Sequence, residues 1–300
     1  MQYFLELSCS GLVRGSIYAL IALGYTMVYG IIQLINFAHG EIYMIGAFIA
    51  LIVAGVLTIY GFSGVSILIL AGLIATVYAA AYGYTLEKIA YRPLRNAPRL
   101  SPLISAIGMS LFLQNYVLLA QTPDFLSFPS LIPDFDFMEP VAHIMGSAEL
   151  VILVTSAVAM VALTVLIKYT RIGKAMRATQ QDMTMARLVG VNVDNVISMT
   201  FVIGSVLAAI GGVLVGSYIG QINFYIGFMA GVKAFTAAVL GGIGNIPGAV
   251  LGAMVLGLAE SFAAGYISSA YEDVFAFGVL VLILILRPSG LLGKAIKQKV

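Results

Sequence analysis

From Ile42 to Leu86 the chain runs for 45 residues without an Asp, Glu, Lys or Arg. One bilayer crossing needs about 20 apolar residues. The stretch is therefore read as two crossings joined by the hairpin Gly61-Phe62-Ser63-Gly64. Charge-free gaps also separate Arg14 from Glu41, Arg99 from Asp124, Glu149 from Lys168 and Asp194 from Lys233. Only 9% of the 300 residues are charged, against about 25% in ordinary soluble domains. The fold class that follows is an all-α polytopic membrane protein, with residues 1–300 as a single transmembrane domain. Spans are expected at roughly 12–35, 41–60, 64–86, 101–121, 149–168, 196–220, 227–244, 247–265 and 273–287, nine in all, with eight as the alternative count. No basic residue precedes Arg14, so the first span lacks the basic leader of a signal peptide and is expected to be retained. The lone Cys9 excludes a disulfide framework and a cysteine metal site.

Basic residues mark the cytoplasmic side of membrane proteins. Here 13 of the 15 fall in three segments: Lys88 to Arg99, Lys168 to Arg187 and Arg287 to Lys299. The loop at 122–148 carries Asp124, Asp134, Asp136 and Glu139 with no basic residue, and is expected outside. Nine spans then place the N-terminus outside and the C-terminus inside. The polar segment 169–195 is read as a cytoplasmic coupling region.

The sequence also repeats. Shifted by 187 positions without gaps, residues 20–55 match 207–242 at 13 of 36 positions, including Ile35-Asn36-Phe37 on Ile222-Asn223-Phe224 and Gly40 on Gly227. Five spans separate the start of one copy from the start of the other, and an odd number inverts the second. The halves are expected over about 12–121 and 196–287. Inverted repeats are a transporter architecture, with the path between the halves.

Polar groups interrupt the apolar runs at related places. Asn36, His39 and Glu41 break the first copy, Gln221 and Asn223 the second, and Asn245 lies in the Gly-rich run 241–248. Backbone that leaves helical geometry at membrane depth must be buried in protein or face water. These six residues and Lys233, isolated between Asp194 and Glu260, are the candidates for lining a path. Glu260 is read as an interfacial anchor. His39 and Glu41 are two apart and would not share a helix face, and no metal-ligand cluster appears. Gly173-Lys174 and Gly293-Lys294 lack the remainder of a phosphate-binding loop, and no catalytic group is indicated.

Within the segment 169–195 the residues spell a short helix over about 180–189. Thr179 and Asp182 have the spacing of a capping box, Gly190 suits a left-handed end, and Arg187 lies in the last turn. Ten residues do not hold a helix alone in water, so it must lean on its own membrane domain, a partner, or both.

Four segments carry a resemblance: GSIYALIALGYTMVYGIIQLINFAHGEIYMIGAF at 15–48, YRPLRNAPRLSPLISAIGMSLFLQNY at 91–116, GFMAGVKAFTAAVLGGIGNIPGA at 227–249, and 171–194. Together they resemble the LivH-type permeases of bacterial high-affinity branched-chain amino acid ABC importers, over nearly the whole chain. The resemblance implies a multi-pass inner-membrane subunit that is not an enzyme and binds no cofactor itself. It implies ATP-Mg in two cytoplasmic ATPase subunits, a second, different permease subunit, and a periplasmic amino-acid-binding protein delivering leucine, isoleucine or valine. Membrane lipid is its medium and no nucleic acid is involved. The implied ATPase contact is the short helix, with Thr179, Asp182, Met183, Ala186, Arg187, Leu188, Val189 and Gly190. A stand-alone carrier using Lys233, Glu41 or Glu260 for ion coupling is the alternative, and a structural scaffold the third.

Overall fold

The computed structural model describes residues 2–95, 97–98, 100–135 and 144–293. Arg99, Asp136, Glu139, His143, Lys294, Lys297 and Lys299 lie outside the described residues. Eleven helices appear in order: α1 Gln2–Ile32, α2 His39–Ile59, α3 Val65–Leu86, α4 Leu100–Ala120, α5 Ser147–Tyr169, α6 Arg171–Gln181, α7 Met183–Leu188, α8 Val193–Ile219, α9 Ile226–Gly241, α10 Ile246–Tyr266 and α11 Glu272–Leu286. The chain beyond α3 continues through a π-helical turn at Glu87–Tyr91 and a short 3-10 turn at Arg92–Leu94.

Eight of these helical segments are long and apolar enough to cross a membrane. The expected span at 227–244 is the exception. It forms α9, whose 16 residues reach about 24 Å at 1.5 Å each, short of the roughly 30 Å hydrocarbon core. The Gly-rich sequence after Leu240 explains the early stop, because Gly242 and Gly244 adopt left-handed φ values of 102° and 89°.

The repeat is carried by the backbone itself. α1 ends at Ile32 and α8 at Ile219, 187 positions later. The next residues, Gln33 and Gly220, both have positive φ, 54° and 76°. α2 then begins at His39 and α9 at Ile226, again 187 apart. Packing follows the same symmetry: α1 lies on α10 as α8 lies on α3, and α1 meets α9 as α8 meets α2. The copies run in opposite directions, because Gly24 of α1 abuts Gly204 of α8 while Leu20 abuts Gly211. α1 and α8 are buried along most of their length and form the centre, whereas α3, α5 and α11 expose most of theirs.

One point of contact is shared by both copies. A Cβ on Gly40 would lie 2.3 Å from the carbonyl oxygen of Gly227, and a Cβ on Gly227 would lie 2.7 Å from that of Gly40. The repeat-related glycines thus face one another where α2 and α9 begin. Only residues without a side chain let the two backbones come this close. Away from this crossing, strand β1 at Leu126–Ser127 pairs antiparallel with β2 at Gln221–Ile222, tying the loop after α4 to the break after α8.

Replacing Gly40 by Ala is expected to destabilise the fold by about 1–3 kcal/mol, the usual cost of overpacking. Gly72→Ala, where nothing lies within 4 Å of the new methyl, should be near neutral. Thermal unfolding of the purified protein in detergent distinguishes the two.

Candidate functional site

The site is built around the two helix breaks. After Ile32 the chain leaves helical geometry for six residues; Gln33 is exposed, whereas Asn36, and His39 and Glu41 at the start of α2, are buried. Asn36 accepts a 2.8 Å hydrogen bond from the Tyr91 hydroxyl. His39 is buried among Tyr25, Gly24 and Gly204. A methyl on Gly24 would lie 2.1 Å from His39 Nε2, so this glycine makes room for the imidazole. Glu41 is fully buried in the first turn of α2. Its Oε1 accepts from Ser110 of α4 at 2.9 Å. Its Oε2 points at Gly227 in the first turn of α9 and has no hydrogen-bond partner among the described residues. A carboxylate at a helix N-terminus faces the positive end of the helix dipole, so Glu41 links α2, α4 and α9 at the crossing. His39 and Glu41 are both enclosed despite pointing to different faces, because protein surrounds the start of α2 on all sides.

The second break is more open. Gln221 is exposed and lies in β2. Asn223 accepts from the Tyr225 N–H at 3.1 Å, which closes a turn ahead of α9. Asn245 caps α10, accepting from Gly248 N–H and donating to Leu292 O at 2.7 Å. It anchors the segment after α11 and is not grouped with Asn36, His39 and Glu41.

Lys233 belongs to a separate cluster. Its ammonium lies 2.7 Å from Asp273, 3.2 Å from Glu260 and 3.6 Å from Glu272, and Arg14 pairs with Glu272 at 2.9 Å. Tyr18 donates to Glu260 at 2.7 Å. Glu260 is therefore no interfacial anchor: it is fully buried, its charge balanced by Lys233 and its second oxygen by the phenol. Buried charges persist only when paired in this way.

The short helix also differs from expectation. Residues 180–189 do not form one helix. α6 runs through Gln181, and Thr179 is buried inside it, donating to Ala175 O at 2.9 Å. The capping box is absent because Asp182 is itself the N-cap. Its φ of −159° breaks the helix, and its Oδ1 accepts from Thr184 and Met185 N–H at 2.7 and 3.0 Å. The Gly190 reading stands: with φ 87° it follows the C-cap, Val191 N–H reaches Ala186 O and Gly190 N–H reaches Arg187 O, which is a Schellman ending. Of the other residues on α7, Ala186 is buried, whereas Met183 is partly covered and Leu188 and Val189 are 74% and 77% exposed.

A polar clasp that sequence reasoning missed joins this region to the first break. Asp194, at the start of α8, pairs with Arg92 at 2.8 Å and Arg95 at 2.6 Å. Arg95 also pairs with Glu87, which is wholly buried and accepts from Ser198 at 2.6 Å. Glu87 opens the π-helical turn that ends at Tyr91, the partner of Asn36. The sequence did offer one signal: Glu87 ends the longest charge-free run.

Antiparallel repeats, broken helices with buried polar groups and many apolar crossings define a transport permease. The family model described as "Branched-chain amino acid transport system / permease component" matches residues 8–284, and the chain belongs to that family. It is 50% identical over 305 residues to the high-affinity branched-chain amino acid transport system permease protein LivH of Escherichia coli, covering 99% of this chain and 98% of the relative. It is likewise 50% identical over 304 residues to the permease protein BraD of the same system in Pseudomonas aeruginosa, covering 100% and 99%. A solved structure, PsaBC from Streptococcus pneumoniae in complex with Fab, overlays 96% of this chain and 91% of that chain at 12% identity with a TM-score of 0.44, a distant likeness. The relatives are transport permease subunits rather than enzymes, and this chain is a multi-pass inner-membrane protein of an ABC system that works with ATPase and binding-protein partners.

Removing Glu87 leaves Arg95 and Ser198 facing a buried gap. Glu87→Ala is expected to cost about 3–5 kcal/mol, as breaking a buried pair does. Arg92→Ala, at a pair 40% exposed on both sides, should cost far less, because an exposed ion pair is screened by solvent. Denaturation midpoints of the two variants in detergent check the order.

Proposed function

We propose that this chain is one permease subunit of an ATP-driven importer that moves leucine, isoleucine and valine across the bacterial inner membrane. The observation that carries the reading is 50% identity across 99% of the chain to a protein of that named system. The subunit pairs with a second, different permease. Two ATPases dock on the face that bears the basic segments, taken as cytoplasmic by their charge, and a periplasmic binding protein docks on the face of the acidic loop 122–148. No covalent change of the amino acid is needed, and ATP-Mg belongs to the ATPases.

The ATPase contact is α7 with its flanks. Thr179 holds α6 from within, Asp182 and Gly190 fix the two ends of α7, and Ala186 seats it. Met183, Arg187, Leu188 and Val189 supply the docking surface. Exposed Leu188 and Val189 beside Arg187 support this reading, since a six-residue helix held by its caps, the buried Ala186 and the half-buried Met183 has an apolar end with nothing to rest on among the described residues of this chain. Closure of the ATPases moves α7, and the two antiparallel copies rock about the Gly40–Gly227 crossing between inward-open and outward-open arrangements. Asn36, His39, Glu41, Gln221 and Asn223 lie along the breaks that this rocking opens and closes. Lys233 holds α9 to α10 and α11, and Asn245 holds the end of α9 to the C-terminal segment.

Leu188→Asp and Arg187→Glu are each expected to abolish ATP-driven leucine uptake in proteoliposomes while the membrane domain keeps its unfolding midpoint. Full uptake and normal ATPase co-purification in both variants would refute the α7 assignment.

A further inference from the structure

A cavity of about 340 Å³ lies between the two copies, walled by α1 and α2 on one side and by α8, α9 and α11 on the other. Its volume is in the range that holds small ligands. Two chemistries line it. Ile17, Val215, Ile226 and Met229 make an aliphatic wall, while Arg14 and Glu272 stand together at the polar end, backed by Lys233. Ile219 and Gln221 at its rim are exposed, whereas Tyr43 and Lys233 deeper in are buried.

We propose that this cavity binds an aliphatic α-amino acid as its zwitterion during passage, a proposal that rests on the transport reading above. The forked guanidinium of Arg14 spends one nitrogen on Glu272 and has further donors in the geometry that suits a carboxylate. Glu272, 27% exposed, offers its carboxylate to the ligand's ammonium. The aliphatic wall takes the side chain. The presence of both signs side by side selects the zwitterion. Arg14 and Lys233 stand among Glu260, Glu272 and Asp273, two cations against three carboxylates. A ligand carrying only a carboxylate makes no use of Glu272, and one carrying only an ammonium leaves the spare donors of Arg14 without an acceptor. A neutral-overall ligand with both groups satisfies both poles. The position between the antiparallel copies is where rocking alternates access.

The test uses the full complex in nanodiscs of defined phospholipid, without its binding protein. Tritiated leucine should bind saturably and be displaced by excess isoleucine or valine, but not by leucinamide or 4-methylpentanoate. Ala230→Phe fills the cavity without touching a charge and should weaken binding about tenfold or more. Ile69→Phe, on the exposed face of α3, should leave binding unchanged. A diazirine analogue of leucine should label the chain near Ile17 and Met229. Three results would overturn the site: labelling confined to other residues, equal displacement by 4-methylpentanoate, or unchanged affinity in Ala230→Phe. Absent binding in a complex that still carries out ATP-driven uptake with its binding protein also overturns the site and leaves the transport reading intact. A complex with no such uptake overturns the transport reading itself.

Discussion

The close approach of Gly40 to Gly227 governs the rest of the structure. Two helices, α2 and α9, start inside the protein and leave N-terminal backbone groups that hydrocarbon cannot satisfy. The chain meets this constraint by bringing the two restarts together, so that each helix start is covered by the other copy. Glycine at both positions sets the separation, and the Glu41 side chain occupies the space that a side chain on Gly227 would take. The same economy appears at Gly24, whose missing side chain admits His39. Burial of Asn36, His39 and Glu41 is thus a consequence of how the copies cross, and the crossing is a consequence of small residues recurring at one offset.

A contiguous polar route leads from the basic face to that crossing. It runs from the loop after α7 to Asp194, through Arg95 to Glu87, along the π-helical turn to Tyr91, and on to Asn36 in the first break. π-helical turns inside helices are rare and frequent at functional sites. This one has a local cause: Pro93 follows it and lacks the N–H to continue an α-helix. The route pairs the buried Glu87 with Arg95 and the Ser198 hydroxyl, and the half-exposed Asp194 with Arg92 and Arg95, an arrangement that holds one geometry firmly. Among the described residues the second copy has no such route. Its break is held by β1 and by Asn223 instead, so the two ends of the molecule are fastened by different means.

Much of this was legible in the residues. Charge-free gaps located eight of the spans, and the repeated Ile-Asn-Phe with its trailing glycine located both breaks to within a few residues. Three features were not. The true break at Asp182 was hidden because Thr179 and Asp182 fit a capping box and also fit a helix end followed by a new N-cap, and spacing alone does not separate the two. The buried state of Glu260 depends on Lys233 and Tyr18, which lie 27 and 242 positions away in sequence, and partners so distant leave no local pattern. The short length of α9 followed from glycines that an apolar window counts as membrane-compatible. Only the Glu260 contact is tertiary; the Asp182 cap and the glycine turn are local choices among conformations the same residues allow, whereas the features read correctly were periodic or compositional.

The account stands or falls on whether the copies pivot about the glycine crossing. Spin-label pairs in the working complex, on a Cys9→Ser background, measure this by pulsed electron resonance. One pair, Phe62→Cys with Ile267→Cys, spans the copies at the end of the acidic loop. The other, Ala97→Cys with Ile243→Cys, spans them at the basic end. Between the nucleotide-free and ATP-trapped states the two distances should change with opposite sign. Changes of the same sign, or no change at either end while transport continues, would contradict the pivot.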